Sequence, residues 1–198
     1  YFETRLSQLF FVFAAFFTIP AAFALFFLSS EIIMVLLEHG KFDLNSTAQT
    51  AKALTAYAIG LPAWVMQKVM LANFHSRGDT VHPLRYSIIT ILLNIVLNAL
   101  FFYLFGFVGV ALASSVAVYA NLTLLYRKAR QEEMIVLGKK AWCLVGKCLL
   151  AAIVMILSVK YYLMHYGGAF HILFSFALGF VIYMITTFVM KVDLRKMK

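Results

Sequence analysis

The sequence is poor in charged residues. Only 13% of its 198 residues are charged and 64% are hydrophobic, whereas a soluble domain has roughly 25% charged and 45–50% apolar residues. A soluble fold of this size could not bury so much apolar surface. Disordered chains, in turn, are polar and poor in aromatic residues. The low charge therefore excludes both classes, and a lipid bilayer is the environment that suits the composition.

Cysteine and acidic residues are also scarce. Cys143 and Cys148 lie on one apolar stretch and do not suggest a disulfide framework. We predict that both are small buried hydrophobic residues. The eight acids are outnumbered by 17 Lys and Arg, so the net charge is +9. In a soluble protein this balance would suggest nucleic acid. Here the charges cluster between apolar runs, so we expect membrane topology to explain them and no nucleic-acid partner.

The sequence lacks the signatures of most enzyme sites. It has no Gly-rich phosphate loop, no nucleophile elbow and no carboxylate pair inside an apolar run. Its five histidines lie in loops or at the ends of runs, without metal-ligand spacing. Enzyme chemistry therefore has little support, although a membrane-embedded acyl or glycosyl transferase stays open as an alternative.

The apolar residues form continuous runs, each near the ~20 residues that a spanning helix needs. They do not alternate and are too long for barrel strands of ~10 residues, so we predict an all-α polytopic membrane protein with six transmembrane helices. The predicted spans are residues 6–37, 53–74, 86–105, 109–126, 144–163 and 172–190. Pro20 and Pro62 are predicted to bend the first two spans. Because the chain opens on Tyr1 and its first run is too long for a signal peptide, we expect a piece of a longer protein.

The loops differ in charge according to the side of the membrane on which they fall. If the spans alternate, one side receives nearly all the Lys and Arg residues outside the spans. These residues are Arg5, Arg77, Arg85, Arg127, Lys128, Arg130, Lys139, Lys140, Lys191, Arg195, Lys196 and Lys198. The loops on the other side carry only Lys41 and Lys52. The positive-inside rule therefore predicts that both termini are cytoplasmic.

One cation lies inside the second predicted span. Tyr57, Trp64 and Lys68 share a face of this helix and form a mixed aromatic and cationic stripe. Lys68 either reaches out to the lipid headgroups or faces a cavity and meets an anion. Arg77 follows at the cytoplasmic mouth. These four residues are our candidates for substrate contact.

Polar and small residues mark the third and fourth spans. Asn94 and Asn98 are four residues apart, so their amides share one face. They either form hydrogen bonds between helices or face a cavity in which their oxygens coordinate a cation. Gly109, Ala113 and Ala117 form a ridge of small residues in the fourth span. We expect this ridge to pack closely against the third span, since the intervening turn is short.

Several short motifs lie within residues 1–130. The most specific is Phe74-His75-Ser76-Arg77-Gly78-Asp79-Thr80, followed by Pro83. The others are Leu37-Glu38-His39-Gly40-Lys41-Phe42, Ala56-Tyr57-Ala58-Ile59-Gly60-Leu61-Pro62 with Lys68-Val69, Leu93-Asn94-Ile95-Val96-Leu97-Asn98 and Gly109-Val110-Ala111-Leu112-Ala113. Together they resemble the MurJ/MviN lipid II flippase family, within the superfamily of multidrug, oligosaccharidyl-lipid and polysaccharide exporters. The last two spans match that family only in length and hydropathy.

The resemblance implies an architecture. Family members have fourteen transmembrane helices, in two six-helix lobes around a central cavity with two further helices. This chain resembles helices nine to fourteen, the C-terminal portion. Residues 1–130 would then be four helices of the second lobe, and residues 131–198 a C-terminal two-helix transmembrane hairpin.

The resemblance also implies a function. The family moves the undecaprenyl-linked peptidoglycan precursor, lipid II, across the bacterial inner membrane by alternating access. The expected partners are this precursor, membrane lipids and the remaining helices of the full-length protein. A related exporter of drugs or of other lipid-linked oligosaccharides is the alternative, because one fold serves many functions.

A sodium ion is the one cofactor that the resemblance suggests. In one member the second lobe holds sodium through two polar side chains four residues apart, then a carbonyl and a hydroxyl on the next helix. An Asp from the first helix of that lobe is a further ligand, and it would lie outside this chain. Asn94 and Asn98 match that pair, and Val110 and Ser114 match the carbonyl and the hydroxyl. Asn98 stands where that member has Asp. Because hard cations prefer anionic oxygen ligands, we expect a weakened site.

Overall fold

The computed structural model describes residues 2–37, 44–132, 134, 139–166 and 169–190. Throughout these residues the regular structure is α-helical, as the continuous apolar runs predict. The helices are α1 (Phe2–Phe27), α2 (Ser29–Leu37), α3 (Leu44–Ser76), α4 (Val81–Phe105), α5 (Phe107–Gln131), α6 (Lys139–His165) and α7 (Ala169–Val189). Lys41, the Gly167 and Gly168 turn and the basic tail lie outside the described residues.

Five of these helices, α1, α4, α5, α6 and α7, contain segments long and apolar enough to cross a membrane. They correspond to five of the six predicted spans. The other predicted span lies within α3, whose 33 residues extend about 50 Å at 1.5 Å per residue. That length exceeds the ~30 Å hydrocarbon core of a bilayer, although α3 also carries the polar residues Lys52, Gln67 and Lys68. The predicted all-α membrane fold is confirmed.

The first predicted span is wrong as a single helix, because Leu28 interrupts it between α1 and α2. α1 runs through Pro20 without a break. At the interruption, the buried Ser29 hydroxyl lies 2.8 Å from the Thr55 hydroxyl of α3. Adjacent serines are a common place for a helix to bend, since their hydroxyls compete for backbone partners. A polar contact with a neighbouring helix therefore lies next to this bend.

The helices pack in a connected series. α5 lies against both α3 and α4, and α1 lies against both α3 and α6, while α7 packs on α6. The main core joins α1, α3, α6 and α7 through residues such as Phe16, Met66, Cys148 and Tyr183. The last two helices thus share a core with the first part of the chain, and the division at residue 130 stays a prediction.

The two cysteines have different surroundings. Cys148 is fully buried in the main core, as predicted. Cys143 is exposed, so its predicted burial is wrong. It lies close to the start of α6, between the buried residues Ala141 and Leu144.

The small residues of α5 allow two other helices, α4 and α3, to pack closely against it. A Cβ on Gly109 would overlap the Phe101 carbonyl oxygen of α4, which confirms the predicted close approach of the third and fourth spans. α5 also packs closely on α3, where Ala111 shares a small core with Ala53 and Ala56. The predicted partner was therefore correct but incomplete, because α5 lies between two helices.

Candidate substrate groove and polar helix interface

A groove of about 780 Å³ lies between α1 and α3. This volume is within the roughly 300–1,000 Å³ typical of small-molecule sites. Phe10, Phe13 and Phe17 line it from α1, where their spacing places them on one helix face. Lys68 lines it from α3 and is the one charged residue in the described lining. The groove is therefore an apolar surface with a single cationic group.

The predicted substrate residues are only partly brought together. Lys68 is exposed and forms no hydrogen bond or ion pair with the described part of the chain. Tyr57 and Trp64 are 45% and 46% exposed along α3, but they are not among the residues that line the groove. Arg77 is exposed just beyond the end of α3. The structure thus places Lys68 in a groove and the other three residues outside it.

The motif that contains Arg77 forms the junction between α3 and α4. Gly78 has φ +76°, and its N–H donates to the His75 carbonyl at 3.0 Å. The Asp79 N–H donates to the Phe74 carbonyl at 3.0 Å. Together these bonds form the Schellman arrangement that ends a helix, and the left-handed conformation favours glycine. Phe74 is fully buried below this turn, so much of the motif is explained by local structure.

Asp79 lies two residues before α4 and bonds its first turn. Its carboxylate accepts the His82 backbone N–H at 3.2 Å and lies 2.8 Å from the His82 ring nitrogen. Desolvation raises the pKa of Asp79, but the hydrogen bonds from His82 and Val81 outweigh it and hold this pKa below its usual value. An ionised carboxylate at a helix N-terminus also interacts favourably with the helix dipole. Pro83 is buried in the first turn of α4, where a missing N–H costs little.

The α4 face that packs on α5 carries two buried amide oxygens that have no partner among the described residues. They are the Oδ1 atoms of Asn94 and Asn98, which accept no hydrogen bond from this part of the chain. The interhelical bonding that we considered for these oxygens is therefore not observed. On α5 the Ser114 hydroxyl donates to the Val110 carbonyl at 3.1 Å. An unpaired buried oxygen is costly, so these two atoms mark a place where a ligand would be stabilised.

A network that our sequence reasoning missed lies next to this face. The Asn121 amide donates to the Thr90 hydroxyl at 2.7 Å, and the Gln67 amide donates to the Asn121 oxygen at 3.2 Å. Thr90 is four residues before Asn94, so the network continues the same face of α4. Three helices are joined in this way. The available signal was the presence of polar residues inside three predicted spans.

The comparisons with known proteins agree with the fold and the motifs. The model of the family described as "Lipid II flippase MurJ" matches residues 2–191. The chain belongs to the lipid II flippase MurJ family. As a member it is a multi-pass protein of the bacterial inner membrane, and the predicted family membership is confirmed.

Individual relatives are similar over much of this chain. A probable lipid II flippase MurJ of Vibrio cholerae is 37% identical over 137 residues, which cover 69% of this chain and 26% of the relative. The lipid II flippase MurJ of Thermosipho africanus is 40% identical over 102 residues, covering 52% and 22%. A solved structure described as "Lipid II flippase MurJ, inward closed conformation" matches with a TM-score of 0.78 and 30% identity, covering 91% of this chain and 37% of that one. The matched part of the chain thus covers between 22% and 37% of the length of these relatives.

Proposed function

We propose that this chain forms part of a flippase that moves lipid II from the cytoplasmic to the periplasmic leaflet by alternating access. Family membership over residues 2–191 is the observation that carries this proposal. The chain acts as a transporter and not as an enzyme. Its partners are the undecaprenyl-linked precursor, membrane lipids and the remaining helices of a full-length flippase.

Lys68 and Arg77 contact the anionic pyrophosphate of the substrate in this proposal. A charged headgroup cannot cross hydrocarbon unaided, and a cation in an apolar groove replaces part of its hydration. Lys68 supports this role because it lines the groove and has no partner in the described part of the chain. Tyr57 and Trp64, exposed along the same helix, contact the uncharged parts of the headgroup.

The test is replacement of Lys68 by Met, which keeps the length of the side chain and removes its charge. In a full-length flippase carrying this sequence, we expect Lys68→Met to slow lipid II flipping in proteoliposomes by roughly tenfold or more. A hydrogen bond to a charged group contributes about 1.5–3 kcal/mol, and 1.4 kcal/mol corresponds to a factor of ten. Lys52→Met is the matched control, since Lys52 is exposed on the same helix away from the groove. Equal flipping by both variants and the parent would leave Lys68 as a residue that reaches the headgroups.

A sodium ion fits the polar face of α4. The unpaired oxygens of Asn94 and Asn98, with the Val110 carbonyl and the Ser114 hydroxyl on the facing helix, would supply oxygen ligands of the kind that a hard cation prefers. Both asparagines are neutral, so the site would hold the ion weakly. When bound, sodium would stabilise the contact between α4 and α5.

Thermal stability tests the sodium proposal separately from transport. We expect sodium, but not potassium, to raise the melting temperature of the full-length protein. Asn98→Asp should enlarge this rise because it adds a negative charge to the ligands. Asn45→Asp adds the same charge at an exposed position of α3 and should leave the response unchanged. If sodium and potassium act alike on the parent and on Asn98→Asp, the asparagines do not bind sodium.

A further inference from the structure

Two long helices contain a proline inside the helix, and each has a tyrosine of another helix bonded to the turn before it. Proline has no N–H, so the carbonyl four residues earlier loses its helical partner. In α1 that carbonyl belongs to Phe16, four residues before Pro20, and the Tyr183 hydroxyl of α7 donates to it at 2.7 Å. Lipid offers no hydrogen-bond donor, so the Tyr183 hydroxyl takes the place of the N–H that Pro20 lacks.

A related arrangement occurs in α3. Pro62 leaves the Ala58 carbonyl without its partner, and its ring crowds the preceding turn. The next carbonyl, that of Ile59, accepts a 2.9 Å hydrogen bond from the Tyr119 hydroxyl of α5. One turn earlier, the Ser115 hydroxyl donates to the Ala56 carbonyl at 2.8 Å. Side chains of α5 thus bind the α3 backbone on the N-terminal side of its proline.

The two tyrosines differ in their surroundings. Tyr183 is 1% exposed and belongs to the main core, whereas Tyr119 is 42% exposed. A cavity of about 270 Å³ is lined by Pro62, Met66 and Tyr119, together with residues of α1 and α6. The segment around Pro62 therefore has space to move into, and Tyr119 is not enclosed.

Pro62 also divides the residues that our proposed function assigns to substrate contact. Tyr57 precedes it on α3, and Trp64 and Lys68 follow it. Beyond Lys68, Met70 and Phe74 are fully buried in a core formed with Leu125 of α5. A change of angle at Pro62 would therefore move Lys68 relative to Tyr57.

We propose that Tyr119 is a positioning residue for transport, whose hydroxyl fixes the angle between the two halves of α3 that flank Pro62. Loss of this bond allows the two halves of α3 to change their angle. The role in transport rests on the proposed function, in which Lys68 meets the substrate. Tyr183 makes the corresponding bond to α1 before Pro20, but it is buried in the core and we expect it to stay in place.

The distance across Pro62 tests this proposal without substrate. Spin labels are attached to Lys52→Cys and His75→Cys, two exposed positions, in a full-length flippase carrying this sequence with Cys143 and Cys148 replaced. The two positions are about 35 Å apart along an α-helix. We expect Tyr119→Phe to shift or broaden the distance distribution and to slow lipid II flipping by about threefold, the loss that corresponds to an average interhelical hydrogen bond in a membrane.

A double-mutant cycle shows whether Tyr119 acts through Pro62. Pro62→Ala restores an N–H for the Ala58 carbonyl, so adding Tyr119→Phe to it should leave the distance unchanged. Tyr183→Phe should lower the melting temperature without altering this distance. Tyr126→Phe, which removes a hydroxyl of α5 that bonds no described residue, should change neither quantity.

Three outcomes would overturn the proposal. The first is that Tyr119→Phe leaves the distance between the labels unchanged. The second is that Tyr119→Phe changes this distance equally in the parent and in Pro62→Ala. The third is that Tyr119→Phe alters the distance but not the rate of lipid II flipping. If the parent protein does not flip lipid II, the proposed function fails, while the distance measurement still decides whether Tyr119 fixes the angle of α3 at Pro62.

Discussion

At the scale of single residues, the contact between α3 and α5 depends on a glycine inside a helix. A Cβ at Gly60 would lie 2.6 Å from the Ser115 hydroxyl oxygen. That hydroxyl also donates to the Ala56 carbonyl at 2.8 Å. Glycine costs a helix roughly 1 kcal/mol relative to alanine, and the close contact of the two backbones offsets this cost.

We therefore expect Gly60→Ala to destabilise the protein by about 1–3 kcal/mol, the usual effect of overpacking. The measurement is the melting temperature of the purified protein in detergent. Gly146→Ala is the control, since a Cβ there meets nothing within 4 Å, and it should not lower the melting temperature. Ser115→Gly should partly rescue Gly60→Ala by removing the clashing atoms. Equal melting temperatures for the two alanine variants would contradict this account of the interface.

At the scale of elements, the junction between α3 and α4 shows how a short motif sets the direction of two helices. The Schellman turn at Gly78 ends α3, and Asp79 accepts the His82 N–H at the start of α4. Each bond satisfies a backbone group that the helix ends would otherwise leave unpaired. The motif that resembles the family most specifically is thus also a structural junction, with Arg77 exposed upon it.

The lowered pKa of Asp79 predicts how this junction responds to pH. The folded-state pKa lies below the unfolded value, which is about 3.9. The ionised carboxylate therefore stabilises the junction above that pH, and this stabilisation is lost as the pH falls through the folded-state pKa. Asp79→Ala should speed hydrogen exchange of the first amides of α4 at pH 7, with no effect on α6. A difference from the parent that persists undiminished at pH 2 would show that the carboxylate charge is not responsible.

At the scale of the whole molecule, α6 and α7 are bound to each other and to α1. Tyr183 bonds the Phe16 carbonyl, and Lys147 of α6 donates to the Met190 carbonyl at 2.8 Å, at the end of α7. A lysine at a helix C-terminus also complements the helix dipole. The hairpin is thereby closed on itself and held against α1.

The orientation of this assembly in the membrane is a prediction from loop charge. A single cysteine at Asn45, before the predicted second span, should react with an impermeant thiol reagent in intact spheroplasts. Cys143, which is exposed and lies near the basic loop, should react only after lysis. Gly168 is a second outer position, outside the described residues. Labelling of Cys143 in intact cells, with Asn45→Cys protected, would reverse the orientation.

The positions of the helices were largely predictable because hydropathy is a local property of the chain. A continuous apolar run is sufficient to predict a spanning helix, and the runs at 86–105 and 109–126 fall within α4 and α5. The bend at Leu28 was not predicted, although the adjacent serines Ser29 and Ser30 are a local signal for it; only the structure shows that Ser29 meets Thr55 of another helix. Proline was the local signal for a bend, yet α1 and α3 continue through Pro20 and Pro62.

The sequence by itself determined the membrane class and the family, since composition and motifs can be read without knowing which helices are in contact. The helical period likewise determined that Tyr57, Trp64 and Lys68 share one face, and that Asn94 and Asn98 share another. The tertiary structure alone decided which groups meet. Tyr183 bonds a carbonyl 167 residues away, and Asn121 joins Thr90 and Gln67 across 31 and 54 residues. In a membrane, an unpaired buried polar group is costly, but the order in which helices pack determines which partner such a group finds.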